Sequence, residues 1–176
     1  MIAVLWMVAC DPAPEDIAKA IGSENPVMRE DGAKIARNYD DQVVVDALVV
    51  ALADPSEQVR LNAIESLAEV EATTAGAALV ERLQSDESVK VRRAAADALG
   101  RLVVKESVPA LVGYVGGLEV NDREQLAGVW ALGNIGSEGL DPESKKLALA
   151  TLVARRDATT DRYVAYNVNA ALRVLK

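Results

Sequence analysis

The chain has 176 residues, 51% of them apolar, a net charge of −8 and no histidine. That size and apolar content fit one compact domain or one short repeat array. Without Phe, and with aromatics at 3%, the core must be built from Ala, Val and Leu. The acidic balance argues against a nucleic-acid binder, which carries a basic stripe to neutralise phosphate. The missing histidine removes Ser-His and Cys-His nucleophile pairs, His-based metal sites and the H-E-x-x-H zinc motif. Cys10 is the only cysteine, so neither an intrachain disulfide nor a multi-cysteine metal site can form. No run reaches the ~18 to 20 apolar residues of a membrane-spanning helix. No cofactor is expected, and no metal.

Residues 1–10, MIAVLWMVAC, come first and are apolar on all sides until Cys10. The run ends in Val8-Ala9-Cys10 and is followed by the Pro-rich DPAPED. It resembles a bacterial lipoprotein signal, in which the cysteine becomes the lipidated first residue. Met7 stands where that signal has Leu, no Lys or Arg precedes the run, and nine residues is short for a signal. Residues 1–10 are therefore read either as a truncated lipoprotein signal or as an apolar N-terminal segment. The first reading implies lipidation at Cys10 and a bacterial cell-envelope location. The second implies a cytoplasmic protein whose apolar tip caps its first repeat. The acids Asp11, Glu15 and Asp16 read as helix-start charges.

From here the chain repeats itself. Apolar runs before a turn begin at Ile17, Leu48, Leu79, Leu111 and Leu149, in steps of 31, 31, 32 and 38. The runs after each turn begin at Val59, Val91, Glu124 and Val164, in steps of 32, 33 and 40. "Val59-Arg60 … Ala63 … Leu67" recurs as "Val91-Arg92 … Ala95 … Leu99", then decays to Glu124-Gln125 and Val164-Ala165. An early copy, PVMREDGAKIA at 26–36, has a register ambiguous by one residue. Each unit reads as two helices. Asp54-Pro55, with Glu57 behind it, reads as a helix start, as do Asp141-Pro142 and Asn25-Pro26. Gly100 and Gly133 read as loosening the ends of second helices. The Gly-rich GYVGGLEV (113–120) and GNIGSEG (133–139) match neither G-x-G-x-x-G nor the phosphate loop, so turns and C-caps are expected there. The long step from 111 to 149 predicts an extended loop at about 136–141. A single helix pair cannot bury its own apolar face, whereas stacked pairs can. The expected fold is all-α, an alpha-alpha superhelix of about five helix pairs.

The pattern D-P-S-x-x-V-R-x-x-A-x-x-x-L, in helix pairs of about 31 to 33 residues, resembles the HEAT repeat family. The short bacterial phycobilin-lyase HEAT-like subtype is the nearest form. The resemblance spans roughly residues 13–176, within a repeat domain placed at 11–176, and is most specific over 43–103. It implies that the turn acid and the following arginine are structural, which carries over to Asp54 with Arg60 and Asp86 with Arg92. It also implies that second helices line a concave surface.

At 100° per residue, one stripe of each second helix falls outside the apolar arcs. It reads Gln58, Asn62, Glu65, Glu69, then Lys90, Ala94, Asp97, Arg101, then Arg123, Ala127, Trp130, Asn134, then Tyr163, Asn167, Ala170, Val174. Trp130 occupies the position of Glu65 and Asp97. It is either a binding anchor or a plug over Gly128 and Gly133. Arg101 and Arg123 beside it suit an acidic or aromatic partner. The binding-face candidates are thus Asn62, Glu65, Asp97, Arg101, Arg123, Trp130, Asn134, Tyr163 and Asn167. The leading reading is a non-enzymatic scaffold for a protein or peptide partner, with no nucleic acid and with membrane contact only through a lipid anchor. The resemblance also implies two rivals, a phycobilin-lyase-like chromophore-binding protein and a HEAT-like DNA glycosylase. HEAT-like hydroxylases need His-Glu iron sites, so the missing histidine excludes them.

Overall fold

The structure is a computed structural model that describes residues 12–176, so Cys10, Asp11 and the rest of the apolar start lie outside the described residues. Ten α-helices and no strand occur among the described residues. They are α1 (Pro14–Ile21), α2 (Pro26–Ile35), α3 (Gln42–Ala51), α4 (Glu57–Glu69), α5 (Gly76–Ser85), α6 (Val89–Arg101), α7 (Val108–Gly117), α8 (Leu126–Ser137), α9 (Pro142–Ala158) and α10 (Arg162–Leu175). The chain divides into two compact units, the first ending at Glu71 and the second running Ala72–Lys176. In the first unit α1 packs on α2 and α3, and α4 packs on α2 and α3. In the second unit the first helices α5, α7 and α9 stack in order. So do the second helices α6, α8 and α10, and each first helix packs on its own second helix.

The repeated apolar positions make this core. Ile17, Leu48, Leu79 and Leu111 are fully buried, as are Val59, Val91 and Val164. In α9 the buried positions fall to Ala148 and Leu152, while Leu149 is half-buried. Glu124 stands in the column of buried valines and is itself 9% exposed. It survives there because Arg92 donates to its Oε1 from Nε at 3.2 Å and from Nη2 at 3.0 Å. The Tyr114 hydroxyl donates to the same oxygen at 3.3 Å. Burial first, then the Glu124 charge, push the Tyr114 phenol well above its ordinary value.

The turns are closed by a repeated arginine. Arg60 Nη1 donates to the carbonyls of Asp54 (2.8 Å) and Pro55 (3.3 Å), six and five residues back. Arg92 does the same to Asp86 (3.0 Å) and Glu87 (3.4 Å). Arg29 does it to Ser23 and Glu24, both at 3.1 Å. Arg29 is thus the arginine of the early copy and fixes its register. It reaches on to the next turn, with Nε 2.6 Å from Asp54 Oδ2 and Nη2 3.2 Å from Oδ1. The Asp54 and Asp86 carboxylates in turn accept the N–H of Ser56 (2.8 Å) and Ser88 (2.9 Å).

Asp54 is not the N-cap of α4. It closes an Asx turn onto Ser56, which is the N-cap, and the helix starts at Glu57. Asp141 and Asn25 do cap their helices. The extra length before Val164 goes mostly into α9, which has 17 residues, rather than into a loop at 136–141. Gly113 and Gly116 lie inside α7, and Gly133 and Gly136 inside α8; only Gly139, at φ +83°, serves a turn. Gly100 and Gly133 do not loosen helix ends. A Cβ on Gly100 would sit 2.8 Å from the Cα of Ala131, and one on Gly133 3.1 Å from the Cα of Ala171. They let neighbouring second helices approach closely.

Helix α6 ends in a Schellman motif, with Val103 N–H on the Gly100 carbonyl and Val104 N–H on that of Leu99, both at 3.1 Å. Val103 takes the left-handed position at φ 52°, where a β-branched side chain costs about 1–2 kcal/mol. Val103→Gly is therefore expected to stabilise the protein by about 0.5–1 kcal/mol, a melting-temperature gain of ~1–4 °C. Val103→Ala, which keeps a side chain at positive φ and loses the contacts of two half-buried methyls, should lower it. A second test addresses the arginine ladder. Burial alone raises the Asp54 carboxyl, but the Arg29 bond, the Ser56 N–H and the charges of Arg29 and Arg60 more than reverse this. Its folded value lies below its unfolded one of about 3.9. Its stabilisation is then complete above that pH and is lost as pH falls through the folded value. Arg29→Met should lower the stability at pH 7, because it leaves the Asp54 carboxylate without its guanidinium partner. Its denaturation midpoint should also fall less than the wild type's between pH 4 and pH 2.

Candidate functional site

The second unit presents a groove between its last two second helices. Two turns hold those helices in register. Before α8, Gln125 replaces the ladder arginine yet still closes its turn, with Nε2 donating to the carbonyls of Val120 (2.6 Å) and Asp122 (2.8 Å). The Asp122 carboxylate accepts the Glu124 N–H at 2.8 Å. Before α10, Asp161 accepts the N–H groups of Tyr163 (2.7 Å) and Val164 (3.2 Å). Arg123 joins the two turns. Its Nη2 lies 3.2 Å from Asp161 Oδ2, and its guanidinium sits 5.3 Å from the centroid of the Tyr163 ring. The N–H bonds from Val164 and Tyr163, then the bond from Arg123, hold the Asp161 carboxyl below its ordinary value. Asn121 adds a clamp, its Oδ1 accepting from Thr159 Oγ1 at 2.8 Å and from Thr160 N–H at 3.0 Å.

The groove has a volume of about 220 Å³. Trp130, Asn134 and Ser137 of α8 form one wall, and Asn167, Ala170 and Val174 of α10 the other. Its floor is the close approach of Gly133 to Ala171. Trp130 is 45% exposed. Its buried edge lies over Gly100 of α6, where a Cβ would meet Cζ3 at 2.7 Å. So it packs and presents a face at once. The glycine it covers is Gly100; Gly128 faces Tyr114 and Val115 instead.

The polar groups around the indole are already oriented. Asn134 Nδ2 donates to the Gly100 carbonyl at 2.9 Å, and Asn167 Nδ2 to the Tyr163 carbonyl at 2.8 Å. Ser137 Oγ donates to the Asn134 carbonyl at 2.6 Å. Each amide keeps its Oδ1 and one N–H for a ligand. On α6, Asp97 and Arg101 are exposed and flank Gly100 at helical spacing. Partial desolvation where its carboxyl leaves the helix surface raises Asp97, against the opposing charge of Arg101.

Of the stripe residues, Trp130, Asn134 and Asn167 meet at the groove. Arg123 and Tyr163 meet N-terminal of it, seven residues before Trp130 and four before Asn167, and Asp97 and Arg101 lie on α6 either side of the glycine under Trp130. Asn62 and Glu65 belong to the first unit. Asn62 is buried and donates to the Glu30 carbonyl at 3.2 Å while accepting from Gln58 at 2.9 Å, so it ties α4 to α2 and is no surface residue. Glu65 is exposed, 3.7 Å from Arg37. Ser137 was not foreseen, although it lies three residues beyond Asn134 on the same face. The ladder members Arg29 and Asp122 were also missed; Arg29 stands 31 residues before Arg60.

The sequence pattern described as HEAT repeats matches residues 14–88 and 76–173. The chain belongs to the HEAT-repeat family. No curated protein matches this HEAT-repeat chain. Among solved structures, it is similar to a chain in the complex of CpcE and CpcF of phycocyanin lyase from Nostoc sp. PCC7120. That match has a TM-score of 0.76 at 23% identity, over 96% of this chain and 66% of that one. The HEAT-repeat chain thus spans slightly less than two thirds of that relative's length. A designed armadillo repeat protein matches at TM-score 0.67 and 22% identity, over 98% of this chain and 86% of the design. An engineered protein matches at 0.67 and 21%, over 92% and 78%. These likenesses establish the fold, that of helical repeat solenoids. Among the described residues no helix is long and apolar enough to cross a membrane.

Because Gly100 admits both Ala131 and the Trp130 ring, Gly100→Ala should cost about 1–3 kcal/mol by overpacking. It should also shift the emission of Trp130, read in a Trp6→Leu background.

Proposed function

We propose that this HEAT-repeat protein is a non-enzymatic scaffold that binds a protein or peptide segment along the second-helix face of its second unit. The carrying observation is Trp130, half-exposed and held in place over Gly100, at the head of a groove whose walls bear two amides. Large aromatic side chains in such settings supply most of the binding energy of an interface. An indole whose rotamer is already fixed loses little entropy on binding. The lining is indole, amide, hydroxyl and aliphatic, a set that holds and orients a ligand rather than one that moves protons.

The groove volume also bears on the chromophore reading that the similarity to phycocyanin lyase raises. At about 220 Å³ it lies below the ~300–1,000 Å³ typical of small-molecule sites. It suits one large amino-acid side chain better than a linear tetrapyrrole. Lipidation at Cys10 belongs to the same proposal and would hold the scaffold at a bacterial membrane.

The test is selection of random peptides on the full chain, followed by affinity measurement on the selected sequences. Trp130→Ala is expected to weaken them by tenfold or more while leaving helix content unchanged. Equal binding by wild type and variant would remove the groove as the binding face.

A further inference from the structure

The charge of the chain is unevenly divided. Residues 1–71 carry 14 acidic and 5 basic side chains, whereas residues 72–176 carry 13 and 14. The net −8 therefore resides in the first unit, and the groove sits in a unit that is close to neutral. Its second-helix stripe is locally basic, with Lys90, Arg101 and Arg123 against one acid, Asp97. Asp97 lies on the same helix as Arg101, whose charge favours its carboxylate. Asp161 spends its carboxylate on two backbone N–H groups and on Arg123. The Arg123 side chain remains 65% exposed even in that pair.

The geometry points to an acidic peptide segment bearing one bulky apolar side chain as the occupant of the groove. This rests on the binding-face reading above and names its ligand. The apolar side chain lies against Trp130, Ala170 and Val174, in a volume that admits one such group. Peptide N–H and C=O groups pair with the unused oxygens and N–H groups of Asn134 and Asn167. Carboxylates flanking the apolar residue meet Arg101 and Arg123, which stand on the same second-helix face outside the groove's own lining. A basic segment would face those cations instead. A nucleic acid would find three cations and no continuous basic track, on a chain whose first unit repels phosphate.

The overall charge makes the test discriminating, because non-specific attraction to this protein enriches basic peptides. Random peptides would be selected on the full chain at 0.15 M salt, and their composition compared with that selected on Trp130→Ala. The expected result is enrichment of Asp and Glu around one apolar residue, absent from the Trp130→Ala selection. Arg123→Gln and Arg101→Gln should each weaken such peptides about two- to fivefold, and by less at 0.5 M salt. Trp130-dependent peptides that are neutral or basic would overturn the acidic ligand while leaving the groove as the binding face. No Trp130 dependence in any peptide would overturn both. Displacement of the selected peptides by a single-stranded oligonucleotide, at lower concentration than the peptides need, would assign the rim to nucleic acid and overturn the proposal.

Discussion

A guanidinium that bonds two carbonyls of its own turn and a carboxylate of the next turn does what apolar packing alone does not. Hydrophobic contact between stacked helices is non-directional, so it tolerates sliding by a fraction of a turn. Arg29 and Arg92 each spend one nitrogen on carbonyls six and five residues back and the others on Asp54 or Glu124. The fixed fork of donors converts the spacing of one turn into the spacing of the next. Helix register within each unit follows from that, and so does every second-helix side chain that shares the stripe. Toward the end of the second unit the device is divided. Gln125 keeps the part that closes a turn, and Arg123 takes over the part that reaches forward, at the surface and over Tyr163.

The groove follows from how closely the second helices can then approach. Gly100 and Gly133 bring α6, α8 and α10 to backbone contact at single points. Away from those points the facing side chains are Asn134, Ser137, Asn167 and Ala170, too short to fill the space between the helices. The one large side chain, Trp130, is drawn over Gly100 and cannot also fill the groove. The groove is therefore a by-product of close packing at the glycines; that packing brings the Gly100 carbonyl to Asn134, while Asn167 and Ser137 are oriented by carbonyls of their own helices.

The repeat was legible because its signals are local. Turn acids, the Val-Arg pair and alternating small and large apolar residues need no knowledge of neighbours, and the HEAT architecture rests on them. The errors fall where a residue's role depends on what lies across the interface. A helical wheel places Asn62 on the outer stripe, but only the position of α2 shows that the Glu30 carbonyl accepts its bond. Spacing alone counted the residues inserted before Val164 and could not assign them to a loop or, as found, to a longer α9. Gly100 and Gly133 carry no local sign that separates a weak helix end from a close approach. Asp54-Pro55 has the composition of an N-cap and the geometry of an Asx turn, which differ by two residues and share the same chemistry. Trp130 was legible as unusual, and its dual role was not, since that depends on a glycine thirty residues away on another helix.

Whole-chain charge misleads most in a protein of this kind. In a repeat array each pair contacts only its neighbours, and at physiological salt a charge is felt over about 8 Å. A ligand on α8 and α10 therefore responds first to the charges closest to it within the second unit, Arg123, Arg101 and Asp97. The −8 still governs long-range encounter, slowing acidic ligands and favouring basic ones before any contact is made. For the acidic segment proposed above, approach and recognition are then opposed, so it must win by contact, through the indole and the two amides, rather than by attraction at a distance.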